Sequence, residues 1–317
     1  TLPDFDRRRR ADRVALGTVA DIVPRQGENR TLVYHGVREL ARRRLTGVAK
    51  LMDLAAVKAP VVSEHIGFRL GPRLNAAGRL TTAEKSLRLL LTADDAESAA
   101  LAAELDAQNR ERQTLERAIV FAAEEKIAAQ SLGAAIVLGE RGWHPGVLGI
   151  VASRIARKYH RPTLIVGFDD DGVGKGSGRS ISGFSLVAAL GRCAGVLEKF
   201  GGHEMAAGLT MREENFSRFA DSFAAICAEI LAADDLDPRL HLDHELTLGD
   251  LHGDLLRRHE FLQPGFGQPT RRNLGSNTQR SSDSLGNART LPVLTARQTA
   301  SYRSPVPMVL VISRAAL

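Results

Sequence analysis

Residues 134–168 read AAIVLGERGWHPGVLGIVASRIARKYHRPTLIVGF. Two short apolar, β-branched runs, AAIVLG (134–139) and TLIVGF (163–168), flank a stretch from Gly146 to Tyr159 with helical periodicity. That strand–helix–strand order predicts an α/β fold. Continuing C-terminally, a glycine-rich ribbon runs to Ser180, followed by a predicted helix from Phe184 to Phe200 and a strand from Met205 to Met211. A last helix carries Phe216, Phe219, Phe223 and Ile226 on one face. Residues 131–233 are therefore expected to form one α/β domain.

Upstream, Thr92 to Asp95 supplies helix-start residues, with Glu97 three after Asp94 as in a capping box. No Gly or Pro interrupts the chain from there to Gln130, and Leu101, Leu105, Arg112, Leu115 and Ile119 continue a roughly heptad stripe. This predicts one helix of about 35 residues, roughly 50 Å long, connecting two domains over residues 93–130. In the region 1–92, RVALGTVA (13–20) predicts a buried strand ending on Asp21, and DIVPRQGEN (21–29) a loop. Leu32, Val33, Val37, Leu40 and Ala41 predict a helix stopping near residues 45–47. GFRLGPRLNAAGRL (67–80) predicts a loop with a short helical piece.

Beyond the α/β domain, HLDHELTL (241–248) predicts a strand followed by a helix through His259, so that 234–263 begins a further domain. After Gln263 the periodicity vanishes, and 264–317 reads as an unstructured tail: a basic arm that grips nucleic acid, or a shifted reading frame. The abrupt onset and the lack of lysine beside seven arginines favour the second.

Those seven arginines and one acid, Asp283, account for the whole formal charge of +6. Removing them from totals of 43 bases and 37 acids leaves 36 of each, so any basic surface in the folded part must come from clustering. With 44% hydrophobic and 25% charged residues over 317 positions, disorder throughout is excluded. The longest apolar runs fall far short of the roughly 18 to 20 residues of a membrane span. No charged-then-apolar leader opens the chain, so a soluble, unexported, cytoplasmic protein is expected. Cys193 and Cys227 lie in apolar helical patterns without a second Cys or His at ligand spacing, arguing against a zinc site or a disulfide framework.

Candidate chemistry concentrates on anions. In GKGSGRS (174–180), glycines alternate with Lys175, Ser177 and Arg179, a pattern that lets backbone N–H groups approach a phosphate while Arg179 offers a fork of donors; the alternative is a hairpin turn. In FGGHEMAAG (200–208) a helix C-cap explains the first glycine and leaves Gly202 and His203 over, although a lone His is more often structural. GWHPG (142–146) places a proline at a helix start that could receive a phosphate, with Arg154 two turns along; Trp143 reads as packing. Arg69, Arg73 and Arg79 suggest a basic loop facing a polyanion. Asp21, at the predicted strand end where open α/β sheets place ligands, is one carboxylate and cannot build a metal site alone.

These residues lie in VALGTVADIVP (14–24), GENR (27–30), FRLGPRLNAAGRL (68–80), LDAQNRERQ (105–113), GWHPGVLGIVASRIARKYHRP (142–162), GKGSGRSISGFSL (174–186) and KFGGHEMAAGLT (199–210). Taken in order over about residues 10–263, they resemble the RecJ family of single-strand-specific DNA exonucleases, in the DHH/DHHA1 phosphoesterase superfamily. The resemblance implies the end of a DHH-type parallel-sheet catalytic domain (1–92), a connecting helix (93–130), a DHHA1-type domain that holds DNA (131–233) and a truncated OB-like start (234–263). It implies two divalent ions, Mn2+ or Mg2+, in the complete enzyme, with Asp21 alone matching a metal ligand and the DHH triplet without counterpart.

Carried over residue by residue, the resemblance makes Arg73 and Arg79 line the DNA path. Arg154, Ser177, Arg179 and Ser180 would bind the terminal phosphate and nearby backbone, with Gly201, Gly202 and His203 beside them. Gln108 and Arg110 follow from the long helix. Single-stranded DNA is the implied partner, with a single-strand-binding protein and a helicase. Two functions are expected: a metal-dependent 5′ to 3′ exonuclease, incomplete as given, or a module that grips single strands without cutting. The long helix and the RLNAAGR loop argue against a small-nucleotide phosphatase.

Overall fold

The computed structural model of the chain describes residues 10–238 together with 244–246, 253–254, 294–296 and 310–312. The chain divides into two compact units, residues 1–71 with 239–317, and residues 72–238.

In the first unit the described residues 10–71 are helical: α1 (Ala11–Ala20), α2 (Gly27–Ala41), α3 (Thr46–Leu54) and α4 (Ser63–His65), the last running into a π-helical turn at Ile66–Leu70. The strand expected at 13–20 is thus a helix. Ala11, Ala15, Leu16 and Val19 are its buried apolar residues, and their spacing of four, one and three is a helical stripe, hidden inside an apolar run that also suited a strand. The stripe packs on α2, whose Val33, Gly36, Val37 and Leu40 face it. Gly36 makes the close approach possible: a Cβ there would collide with the Ala11 carbonyl and the Ala15 side chain. The expected loop at 67–80 is also helical, through the π turn and α5 (Gly71–Leu80), because Ile66, Leu70, Ala76 and Ala77 are fully buried at helical spacing. A three-stranded antiparallel sheet orders strands His244–Leu246, Leu310–Ile312 and Leu294–Ala296. The rest of the expected OB-like start and of the 264–317 tail lies outside the described residues.

The second unit contains the remainder of α5, α6 (Glu84–Leu91) and the 34-residue α7 (Asp95–Ala128). Asp94 caps α7 by accepting from Glu97 N at 2.6 Å. The Glu97 carboxylate turns to Thr92 and Arg88 instead of completing the box. Then come β1 (Ile136–Arg141), α8 (Pro145–Tyr159), β2 (Thr163–Phe168), β3 (Val173–Arg179), α9 (Leu186–Arg192), β4 (Lys199–Gly202), β5 (Ala206–Arg212) and α10 (Phe216–Ile230). The sheet order is β1-β2-β3-β5-β4, with β1 and β2 parallel and the rest antiparallel.

Helices cover both faces of this sheet. On one, Leu164, Val166 and Phe168 meet Leu209, Met211, Phe219 and Phe223; on the other, Leu138 and Ile165 meet Val147, Val151 and Ile155 of α8 and Ile119 and Ala123 of α7. The helix expected over 184–200 stops at Arg192, and Lys199 and Phe200 join the edge strand β4 through pairing with Thr210 and Leu209. The helix C-cap expected at Gly201 is therefore absent. None of the described helices is long and apolar enough to cross a membrane.

Candidate nucleic-acid interface

The glycine ribbon is a strand, and its alternation has two separate causes. Gly174, Gly176 and Gly178 face the aromatic core, where a Cβ would press on Phe168, on Leu209 and Val166, or on Leu164 and Leu186. Lys175, Ser177 and Arg179 therefore face the α8 side, by the two-residue period of a strand. On that side Ser177 pairs across to Gly208 and then Gly201, both exposed, and Lys175 pairs to Thr210 and then Lys199. The two exposed glycines lay bare a strip of backbone: a Cβ at Gly201 would meet nothing within 4 Å, and one at Gly208 only the Gly176 carbonyl, 3.7 Å away.

Three further glycines let neighbouring segments approach this strip closely. Gly167 admits the Trp143 carbonyl against β2, and Gly146 admits the Arg79 carbonyl against the first turn of α8. At Gly149 a Cβ would stand 3.0 Å from both Arg179 Nη2 and Ser177 Oγ. Pro145 opens α8, and His144 caps it by accepting from Gly146 N through Nδ1 at 3.1 Å. Arg179 donates to Ser177 Oγ (3.2 Å) and to the Gly178 carbonyl (2.7 Å), and no carboxylate partner is recorded for it or for Arg79 among the described residues.

The buried stripe of α7 turns polar where it passes this place: Asp106, Asn109, Arg112 and Glu116 interrupt an otherwise mostly apolar face. Arg112 Nη1 donates to Glu116 Oε2 at 2.6 Å, and Arg154 Nε lies 2.8 Å from Glu116 Oε1. Arg112 and Arg154 thus share one carboxylate, Arg79 lies within reach of Arg112 and Glu116, and Arg179 adjoins Arg79. The crowding registers in protonation. Partial burial and then Arg112 lower the pKa of Arg79 against the pull of Glu116, and burial and then Arg79 lower that of Arg179. An anion with two charges placed among these guanidiniums would relieve repulsion that the protein leaves uncompensated.

The structure accordingly brings together Arg79, Arg154, Ser177 and Arg179, with Gly201 along the strip. Arg73 and Arg110 form a second group on Asp106, which accepts from Arg73 Nε at 2.8 Å and also from Arg110. Gln108 Oε1 is buried without a hydrogen-bond partner among the described residues. Ser180 is not part of the cluster: its hydroxyl donates to the Phe184 carbonyl at 2.6 Å and its N–H to the Met205 carbonyl, so both donors are spent inside the fold. Gly202 and His203 form the β4–β5 turn, where Gly202 has φ +145° and His203 N donates to the Ala206 carbonyl. Arg112 and Glu116 were missed as site residues; the signal was a charged pair four apart inside a buried helical stripe.

Asp21 and Arg69 belong to the first unit. Asp21 is an exposed helix C-cap whose N–H donates to the Gly17 carbonyl, not the end of a strand, and Arg69 donates to the Ala56 carbonyl. Among the described residues no group of three or more His, Cys, Asp or Glu could hold a metal ion. They do not fit a two-ion cage.

The DHHA1 domain family matches residues 124–229. The single-stranded-DNA-specific exonuclease RecJ of Bacillus subtilis is 37% identical over 256 residues, 80% of this chain and 33% of that protein. The RecJ of Thermus thermophilus solved with Mg2+ superposes with a TM-score of 0.72 at 36% identity, covering 83% of this chain and 41% of that one. Its Mn2+ complex gives 0.64 at 40% identity, over 71% and 33%. The chain spans a third to about half the length of the curated relatives it matches. Across that span, ordered motifs, sequence identity and fold agree, and the chain belongs to the RecJ family of the DHH/DHHA1 phosphoesterases.

Proposed function

We propose that this chain carries the phosphate-holding part of a single-strand-specific 5′ to 3′ DNA exonuclease, with Arg79, Arg154, Arg179 and Ser177 receiving the terminal phosphate. One observation carries the reading: Arg112 and Arg154 pair with Glu116, and Arg79 and Arg179 adjoin them without a recorded carboxylate of their own among the described residues, beside an exposed, glycine-floored strip of sheet. Bare glycine backbone lets a polynucleotide lie close to the sheet, and the guanidinium forks match phosphate oxygens in pairs. Arg73, Arg110 and Gln108 extend the contact surface along α7, and Gly202 and His203 border its other end.

The Thermus relatives were solved with Mn2+ and with Mg2+; in this reading Asp21 would be this chain's one contribution to the ligands of such ions, which would activate water for hydrolysis in the complete enzyme. The single-strand-binding protein, the helicase and the cytoplasmic location follow from the family reading alone. A second reading, a module that binds single strands without cutting, is favoured by the lack of a metal-binding cluster among the described residues. Manganese-dependent shortening of a labelled oligonucleotide by the purified chain, abolished by Asp21→Ala, decides between the two.

The phosphate site is tested by the ratio of affinities for 5′-phosphorylated and 5′-hydroxyl single strands, in which the seven tail arginines cancel. Arg179→Ala should weaken binding of the phosphorylated strand about ten- to a hundredfold, and lower the salt slope by about 0.7. Equal binding by the original and Ala forms at low salt, with folding unchanged, would overturn the assignment.

A further inference from the structure

We infer that Glu116 is a positioning residue of the phosphate site: its buried carboxylate holds the Arg154 guanidinium by an ion pair between two helices and thereby keeps it at the site. This rests on the phosphate-site reading above and deepens it. Arg154 sits in α8 with a side chain 58% exposed, and alone it would sample many rotamers. The Glu116 side chain is 4% exposed and comes from α7, so the 2.8 Å contact to Nε joins two helices. Among the described residues Glu116 Oε1 accepts no hydrogen bond, so the pair is held by charge and the donors of Arg154 stay available to a phosphate.

The carboxylate is itself held from behind. Its Oε2 accepts from Arg112 Nη1 at 2.6 Å, and Arg112 Nη2 donates to Asn109 Oδ1 at 3.1 Å. Asn109, Arg112 and Glu116 occupy successive turns of one buried face, so the chain of contacts is anchored in the 34-residue α7. Arg112 has a side chain only 11% exposed, and its Nε has no hydrogen-bond partner among the described residues. It therefore serves to orient Glu116, while Arg154 reaches the ligand.

A counter-ion that merely neutralised Arg112 would tolerate a shorter acid, whereas an aiming group would not. The experiment uses the full chain and measures the affinity ratio between 5′-phosphorylated and 5′-hydroxyl oligonucleotides for Glu116→Asp, Arg154→Ala and the double variant. Glu116→Asp keeps the charge and withdraws the carboxylate by one methylene. Each single change should cut the ratio about five- to tenfold, and the double variant should lose no more than the worse single. A ratio for Glu116→Asp like that of the original chain, alongside a loss in Arg154→Ala, overturns the inference. Should Glu116→Asp melt early, Arg154→Lys tests the same point. Lysine keeps the charge without Nε or a fork, so its ratio should fall nearly as far as with Ala; an undiminished ratio overturns the inference. If the original chain shows no preference for the 5′-phosphate and Arg179→Ala changes nothing, the phosphate-site reading itself has failed, a result distinct from the others.

Discussion

Replacing Gly149 by Ala separates the stability of the α8 region from its ability to hold a phosphate. The residue lies in the helix interior, where Ala is favoured over Gly by about 1 kcal/mol. Its new methyl would stand 3.0 Å from Arg179 Nη2 and from Ser177 Oγ, both ends of side chains and not backbone. Ordinary contact is about 3.5–4.0 Å, so each group must retreat by roughly half an ångström. Folding tolerates that movement. A charge-assisted bond of about 2.7–2.9 Å to a phosphate oxygen does not, and misaligning one contact worth about 1.5–3 kcal/mol should weaken binding of a 5′-phosphorylated single strand about tenfold. Thermal unfolding and fluorescence anisotropy on the same sample give both quantities: a melting temperature unchanged or raised by up to about 3 °C, with the tenfold loss confined to the phosphorylated strand. Unchanged binding would show that Arg179 and Ser177 are not where the phosphate sits. A fall of several degrees in melting temperature would show that Gly149 serves packing instead.

Gly146→Ala is the opposite case, since its Cβ would strike the Arg79 backbone carbonyl, which cannot swing aside; urea denaturation should show a loss of about 1–3 kcal/mol. Gly178→Ala, whose Cβ would lie 2.6 Å from Leu164 and Leu186 side-chain carbons on the core face of β3, should destabilise by a similar amount while an unfolding-corrected affinity stays within about twofold. Cys227 is fully buried, and burial, with Cys193 beside it, pushes its thiol up to about 12. The folded state then keeps a proton that the unfolded chain releases, so this thiol's contribution to stability is intact below about pH 9 and declines between about pH 9 and 12 at up to about 1.4 kcal/mol per pH unit. Cys227→Ala should flatten that slope in denaturation curves at pH 9 and 10, and a slope identical in both forms would refute the assignment. Millimolar Mn2+ should leave the melting temperature of the chain within a degree of a chelated control, because no described cluster can hold it; a rise of several degrees would reveal ligands elsewhere in the chain.

What the sequence determined by itself was the order of elements and the kinship. The long helix was legible because its stripe persists over 34 residues with no Gly or Pro, and TLIVGF was legible because a fully buried strand must be apolar on both faces. Ordered motifs across most of the chain carried the family, and Arg79 and Arg179 of the proposed phosphate site were already conspicuous in glycine-rich surroundings. RVALGTVA misled because a short, largely apolar run fits two periods; only the groove offered by α2 at Gly36 selects the helix. The glycines of 174–178 read as anion cradle or turn, and packing decided differently: they make room for Phe168, Val166 and Leu209, which turns Lys175, Ser177 and Arg179 to the other face. Ser180 was assigned to the phosphate and is spent on the Phe184 carbonyl. Periodicity is a local property, set by backbone geometry within a few residues. The meeting of Arg79, Glu116, Arg154 and Arg179 depends on side chains up to a hundred positions apart entering one volume. Tertiary packing alone decides which charges are left there without a partner.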